Sequence, residues 1–216
     1  MTSAVRAGAD VVEVDVRVTR DGVAVLHHDP TLSRLWSRPE AVAELTLAEL
    51  RAVVPAIPTV SQANALLRGT GVPLVLDLGS TGAARAAVRA VEEAGGSWDA
   101  DPETASTWFC GRPKALAWLR AEGIRAPRLL TWDRWTPVPE SLVEAVAPAF
   151  FNPWHRLVTP ALVRRWHARG LRVSTWTVDS PARRRRLLAW GVDAVTSNAV
   201  DALVADVRPT RLSAAS

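Results

Sequence analysis

The sequence predicts an α/β protein of the (β/α)8 TIM-barrel type, short of about one βα unit. Three observations predict it. Strand-like runs alternate with helical runs along most of the chain, as parallel βα units do. The residues that carry chemistry (Glu13, Asp15, Asp77, Asn152, Trp176 and Asn198) fall at or near the C-terminal ends of those runs, where such barrels place their sites. Finally, about seven strands are legible in 216 residues, whereas a complete barrel takes about 250.

The elements follow in order. Residues 1–7 suit the tail of a helix, and Gly8 suits its C-terminus. The next run alternates: Val12, Val14, Val16 and Val18 point one way, Glu13, Asp15, Arg17 and Thr19 the other. Branched valines make a packed pleated face. On the other face two carboxylates stand about 6.5–7 Å apart along the strand. They repel unless positive charge lies between them, and a hard divalent cation with oxygen ligands supplies it. Arg17 is the bland alternative, a neighbour that neutralises them on a solvated face. Arg20-Asp21-Gly22 turns the chain, and a short apolar run from Val23 to Leu26 delivers His28 and Asp29.

Thr46 with Glu49 three residues later makes a capping box for a short helix, and a second helix covers 60–68. Residues 72–78 read as a buried strand with Asp77 near its end. Helix 81–95 closes on Gly95-Gly96. Strands 106–110 and 128–132 flank helix 113–122. A loop over 133–140, rich in proline and tryptophan, precedes helix 140–146, and 149–152 ends another strand. Helix 159–169 stops at Gly170. The last pattern is strand 170–179, a helix opening on Arg183–Arg186, and strand 191–198. One barrel domain over 1–206 and a disordered polar tail over 207–216 are expected.

Bulk composition narrows the function. With 48% apolar and 22% charged residues, the chain is an ordinary globular protein. No run of about 18 apolar residues is present, so no transmembrane segment is expected, nor does the start resemble a secretory signal. A cytoplasmic location is the expectation, although a signal could have been lost with a missing N-terminal segment. One cysteine, Cys110, excludes an internal disulfide and a cysteine-based zinc site; its setting reads as a buried, inert thiol. The net charge of +4 and pI near 10.7 would attract phosphate-bearing or anionic-lipid partners. The arginines are dispersed, however, and no nucleic-acid recognition motif is present. The cluster Arg183–Arg186 reads as an exposed helix start, and no nucleic-acid partner is expected.

Gly8-Ala9-Asp10, Glu13, Asp15-Val16, Thr19, Asp21-Gly22, Val25, His28-Asp29, Leu32 and Arg34 together closely resemble the glycerophosphodiester phosphodiesterase family. Leu45-Thr46-Leu47, Ile57-Pro58-Thr59, and the runs Gly170–Asp179 and Gly191–Asn198 resemble the family's later connectors and closing strands. The resemblance implies metal-dependent hydrolysis of glycerophosphodiesters to an alcohol and glycerol 3-phosphate, a step of lipid metabolism. It implies Mg²⁺ or Ca²⁺ held by Glu13, Asp15 and Asp77, with His28 as general acid or base, a role suited to a side chain that titrates near neutral pH. Trp176 would wall the alcohol moiety, with a packed barrel tryptophan as the equal alternative. Arg34 would order its loop, His27 is read as structural, His155 as a loop residue and His167 as exposed.

Two departures stand out. The family has Glu-x-Lys where this chain has Asp77-Leu78-Gly79, so a lysine that would help bind phosphate is gone. The family's opening His-Arg-Gly strand and Pro-Glu-Asn-Thr loop are also missing, which places the deficit at the front and leaves raw strand edges beside Glu13 and Ala194. Homo-oligomerisation by edge pairing is one expectation from this. The competing reading is a catalytically inactive barrel that retains metal or phosphate binding as a module. A related phosphodiesterase acting on lysophospholipids or sphingolipids is a third.

Overall fold

The computed structural model describes residues 1–214, with side chains described through Val207. Eight strands form two four-stranded sheets, in orders β2-β1-β3-β4 and β5-β6-β7-β8. The strands are β1 (Val12–Val18), β2 (Ala24–Leu26), β3 (Leu74–Leu78), β4 (Thr107–Gly111), β5 (Leu129–Trp132), β6 (Phe150–Pro153), β7 (Arg172–Thr175) and β8 (Ala194–Val195). A parallel bridge from Phe109 to Arg128 joins the two sheets into one curved surface. All strand pairs are parallel except β1 with β2, so the parallel wall has seven members among the described residues.

The helices are α1 (Thr2–Ala7), α2 (Ser33–Trp36), α3 (Leu47–Val53), α4 (Val60–Leu67), α5 (Thr81–Glu93), α6 (Pro113–Ala121), α7 (Glu140–Val146), α8 (Pro160–His167), α9 (Pro181–Ala189) and α10 (Val200–Ala214). The Thr46 cap that the sequence signals is present, its side chain accepting from the Glu49 amide; Ser80 caps α5 in the same way, accepting from the Ala83 amide.

The wall buries both faces. Leu74, Leu76, Leu78, Phe109 and Leu130 pack outward against the helices, while Val75, Trp108, Cys110 and Phe150 fill the barrel interior. Such two-sided burial is why these strands read as continuous apolar runs. Truncating a fully enclosed leucine such as Leu76 would cost about 2–5 kcal/mol.

The parallel wall does not close: β1 and β8 are not paired among the described residues. The β1 edge is less bare than the sequence implied, because β2 folds back along it, pairing Val16 with Leu26 and Val18 with Ala24. Outside the barrel, α1 packs against α10.

One surface expectation is overturned. The Arg183–Arg186 run is not simply a solvated helix start. Arg184 is 1% exposed, its Nε and Nη2 donating to Asp206 Oδ2 at 3.0 and 2.8 Å. It is enclosed because α10 folds back over α9, which no local pattern reveals. The tail expected over 207–216 falls on α10 as far as Ala214; residues 215–216 lie outside those described.

Candidate active site

The site is built on the C-terminal ends of β3 and β4. On β1 it takes the first half, contrary to the expected strand-end position: Glu13 is the second and Asp15 the fourth residue of the longer strand Val12–Val18. Strand register makes Asp15 the partner of Asp77, and Asp77 the partner of Cys110. Glu13 sits one layer lower, opposite Val75, and its longer side chain reaches up. Ligand atoms of Glu13, Asp77 and Cys110 lie within 4.8 Å of one another. Asp15 stands outside that trio and acts on it through its charge. Gly111 permits the crowding: its φ is +107°, and a Cβ there would stand 2.6 Å from Asp77 Oδ1.

This group is short of positive charge. The Glu13 carboxyl is pushed up to about 8, first by removal from bulk water, then by the charges of Asp15 and Asp77. Glu13 keeps an exposed flank, through which a cation would have direct access. Asp77 is also raised, by burial and then by Asp15, against the opposing effects of a Cys110 hydrogen bond, Arg17 and Arg112. Cys110 is buried, and burial followed by the neighbouring carboxylates lifts its thiol well above the usual range. With no cation beside it, it is a neutral S–H that donates to Asp77. The remaining donors, Glu13 and Asp77, offer hard carboxylate oxygens of the kind that suit Mg²⁺ or Ca²⁺. The donor chemistry thus fits a divalent cation.

His28 arrives from β2. The His27 amide donates to Asp15 O at 3.1 Å, which sets this turn beside the carboxylates. Arg17 donates from Nε to His28 O at 3.1 Å and also from Nη2, tying β1 to the same turn. The His28 ring is largely exposed, with Nδ1 2.7 Å from Asp29 Oδ1. Asp29 is held at about pKa 2 by its bonds to Arg34 and His28, so it only accepts. Nδ1 must then carry the proton, and Nε2 is left for chemistry. Arg34 Nε bonds Asp29 Oδ2 at 2.6 Å and so orders this loop.

Trp176 follows β7 and belongs to a different neighbourhood. Its Nε1 donates to Asn152 O at 3.1 Å. Ser174 Oγ donates to Asn152 Oδ1 at 2.9 Å, and Asn152 Nδ2 to Thr131 Oγ1 at 3.3 Å. The Gly111 amide donates to that same hydroxyl at 3.2 Å. A polar row therefore runs from the end of β4 to Trp176, and Trp176 is joined to it rather than to the carboxylates. His27 is buried, with Nε2 3.1 Å from Thr31 O. His155 lies in a 3-10 turn beyond β6, and His167 Nε2 is 2.8 Å from Asp193 Oδ2.

Two contributions are not legible in the sequence. Asp29 stands in the motif, but its hold on the imidazole exists only in the folded chain. Arg112, next after the end of β4, exerts its charge on Asp77, and nothing in its local sequence signals that.

A family model described as the glycerophosphoryl diester phosphodiesterase family matches residues 1–202. "Probable glycerophosphodiester phosphodiesterase 2" of Mycobacterium tuberculosis is 28% identical over 93% of this chain and 80% of its own length. Glycerophosphodiester phosphodiesterase GDPD4 of Arabidopsis thaliana is 24% identical, over 90% of this chain and 63% of its own. Among solved structures, an Oleispira antarctica phosphodiesterase in complex with the product sn-glycerol-3-phosphate superposes with a TM-score of 0.82 at 21% identity. It covers 95% of this chain and 88% of that one. A Thermotoga maritima glycerophosphodiester phosphodiesterase gives a TM-score of 0.76 at 20% identity, covering 94% and 87%.

Proposed function

Because the chain belongs to the glycerophosphoryl diester phosphodiesterase family, we propose that it hydrolyses glycerophosphodiesters to an alcohol and glycerol 3-phosphate, with a divalent cation at its carboxylate group. The observation that carries this reading is the meeting of Glu13 and Asp77 from adjacent strands, with Asp15 beside them. Glu13 and Asp77 would hold the ion, Asp15 adding its charge. When bound, the ion would neutralise phosphate charge and polarise the attacking oxygen.

The chain's own residues supply the rest. Attack of a hydroxyl or water oxygen on phosphorus breaks the bond to the alcohol oxygen, and that oxygen needs a proton. His28 Nε2 takes the proton of the attacking oxygen as general base and, once protonated, gives it to the leaving oxygen as general acid, while Asp29 holds the ring in place. Trp176 offers an apolar wall on the far side of the mouth for part of the alcohol. Cleaving such headgroup esters places the protein in lipid breakdown or salvage. No helix among the described residues is long and apolar enough to cross a membrane. The part of β1 that β2 leaves uncovered and the edge of β8 favour self-association through strand edges.

Release of glycerol 3-phosphate from glycerophosphocholine, with Mg²⁺ or Ca²⁺ and with Glu13→Ala as control, tests the reading. Metal-dependent turnover abolished by Glu13→Ala is the expected result. The bare strand end at Gly79 favours a second reading, a metal- or phosphate-binding module without turnover. That reading is indicated if folded protein binds glycerol 3-phosphate yet releases none.

A further inference from the structure

The carboxylate group accounts for the cation but leaves open what holds the phosphate. β3 offers nothing, since the residue beyond Leu78 is Gly79, with no side chain. The space in front of Gly79 is nevertheless taken. A Cβ built there would meet one atom, Nη1 of Arg17, at 3.4 Å. Arg17 shares its strand face with Glu13 and Asp15 by simple alternation, one step nearer the strand's C-terminal end. Both of its hydrogen bonds among the described residues go to the His28 carbonyl, from Nε and Nη2. The fork is thereby fixed, with its remaining nitrogen turned toward Gly79 and its charge without a carboxylate partner among the described residues. The charge is felt at Asp77, where it opposes the rise of the carboxyl pKa.

We infer that Arg17 binds the non-bridging oxygens of the phosphodiester, its guanidinium occupying the space that a side chain at residue 79 would fill. The inference rests on the phosphodiesterase reading and specifies its substrate site. A planar guanidinium held by its own tether is a preorganised anion donor, and its link to the His28 carbonyl sets the phosphate contact and the imidazole turn in one rigid unit. The absence of a side chain at residue 79 and the presence of an arginine at residue 17 are then one feature of the site.

Binding of glycerol 3-phosphate and of inorganic phosphate, measured by calorimetry with Mg²⁺ present, tests this on wild type, Arg17→Met, Gly79→Leu and Arg17→Met/Gly79→Lys, with circular dichroism as the check on folding. Loss of one charge-assisted contact weakens binding about ten- to a hundredfold, and that is expected for Arg17→Met. Gly79→Leu leaves the arginine in place but blocks its free nitrogen, so it also weakens binding, and it decides the matter should Arg17→Met fail to fold. The double variant restores a cation from the neighbouring strand and regains most of the lost affinity. A tether role alone would not be rescued this way. Wild-type affinity in Arg17→Met, or in folded Gly79→Leu, overturns the inference, as does a folded double variant as weak as Arg17→Met. Failure of the phosphodiesterase reading shows separately, as wild-type protein that binds glycerol 3-phosphate but turns over no diester.

Discussion

A Cβ on residue 111 would stand 2.6 Å from Oδ1 of Asp77, and equally close to the Leu78 backbone. Gly111 is therefore the gap into which the key carboxylate of β3 fits. Its φ of +107° adds backbone strain to any replacement. Gly111→Ala is expected to lose about 2–4 kcal/mol of stability and to weaken metal binding by displacing Asp77. Urea denaturation and metal titration of the same variant check both effects.

Glu13 carries a pH signature. Its carboxyl is raised from 4.5 to about 8 on folding. The folded state therefore binds more protons than the unfolded chain between those values, and stability falls as pH rises across that window. Metal-free protein should be most stable, with respect to this group, below about pH 4.5 and should have lost the contribution above pH 8. Glu13→Gln, which cannot ionise, should flatten that slope. Mg²⁺ should bind more tightly as pH rises toward 8, with proton release. Chemical denaturation and calorimetry across pH measure these.

His28 and Asp29 separate proton transfer from orientation. His28→Ala is expected to cut turnover by about 10²–10⁴-fold. Asp29→Asn frees the ring to adopt the other tautomer and should lower turnover less, with metal affinity unchanged. Steady-state kinetics beside metal titration distinguish the two.

Asp206 anchors α10 to the body of the protein through the Arg184 guanidinium. Asp206→Ala leaves a buried cation with only backbone carbonyls for partners. The expected cost is about 3–5 kcal/mol, read as a lowered thermal midpoint. Asp206→Lys should be worse still.

What the sequence alone determined was local. Period-two alternation set Glu13, Asp15 and Arg17 on one face of β1, because side chains in a strand alternate whatever surrounds it. The apolar run before Asp77, the capping box at Thr46 and the βα rhythm likewise follow from neighbours in the chain, and with the motif from Gly8 to Arg34 they carried the barrel class and the family. Tertiary structure decided the pairings between distant residues. Cys110 reads as an inert thiol until strand register makes it the partner of Asp77. Arg184 reads as a solvated charge until α10 covers it. Arg17 reads as a neutraliser of its neighbours until β3 presents Gly79 to it. Strand register and helix packing bring together groups tens of residues apart, and the fields and close approaches that make a site exist only once they meet.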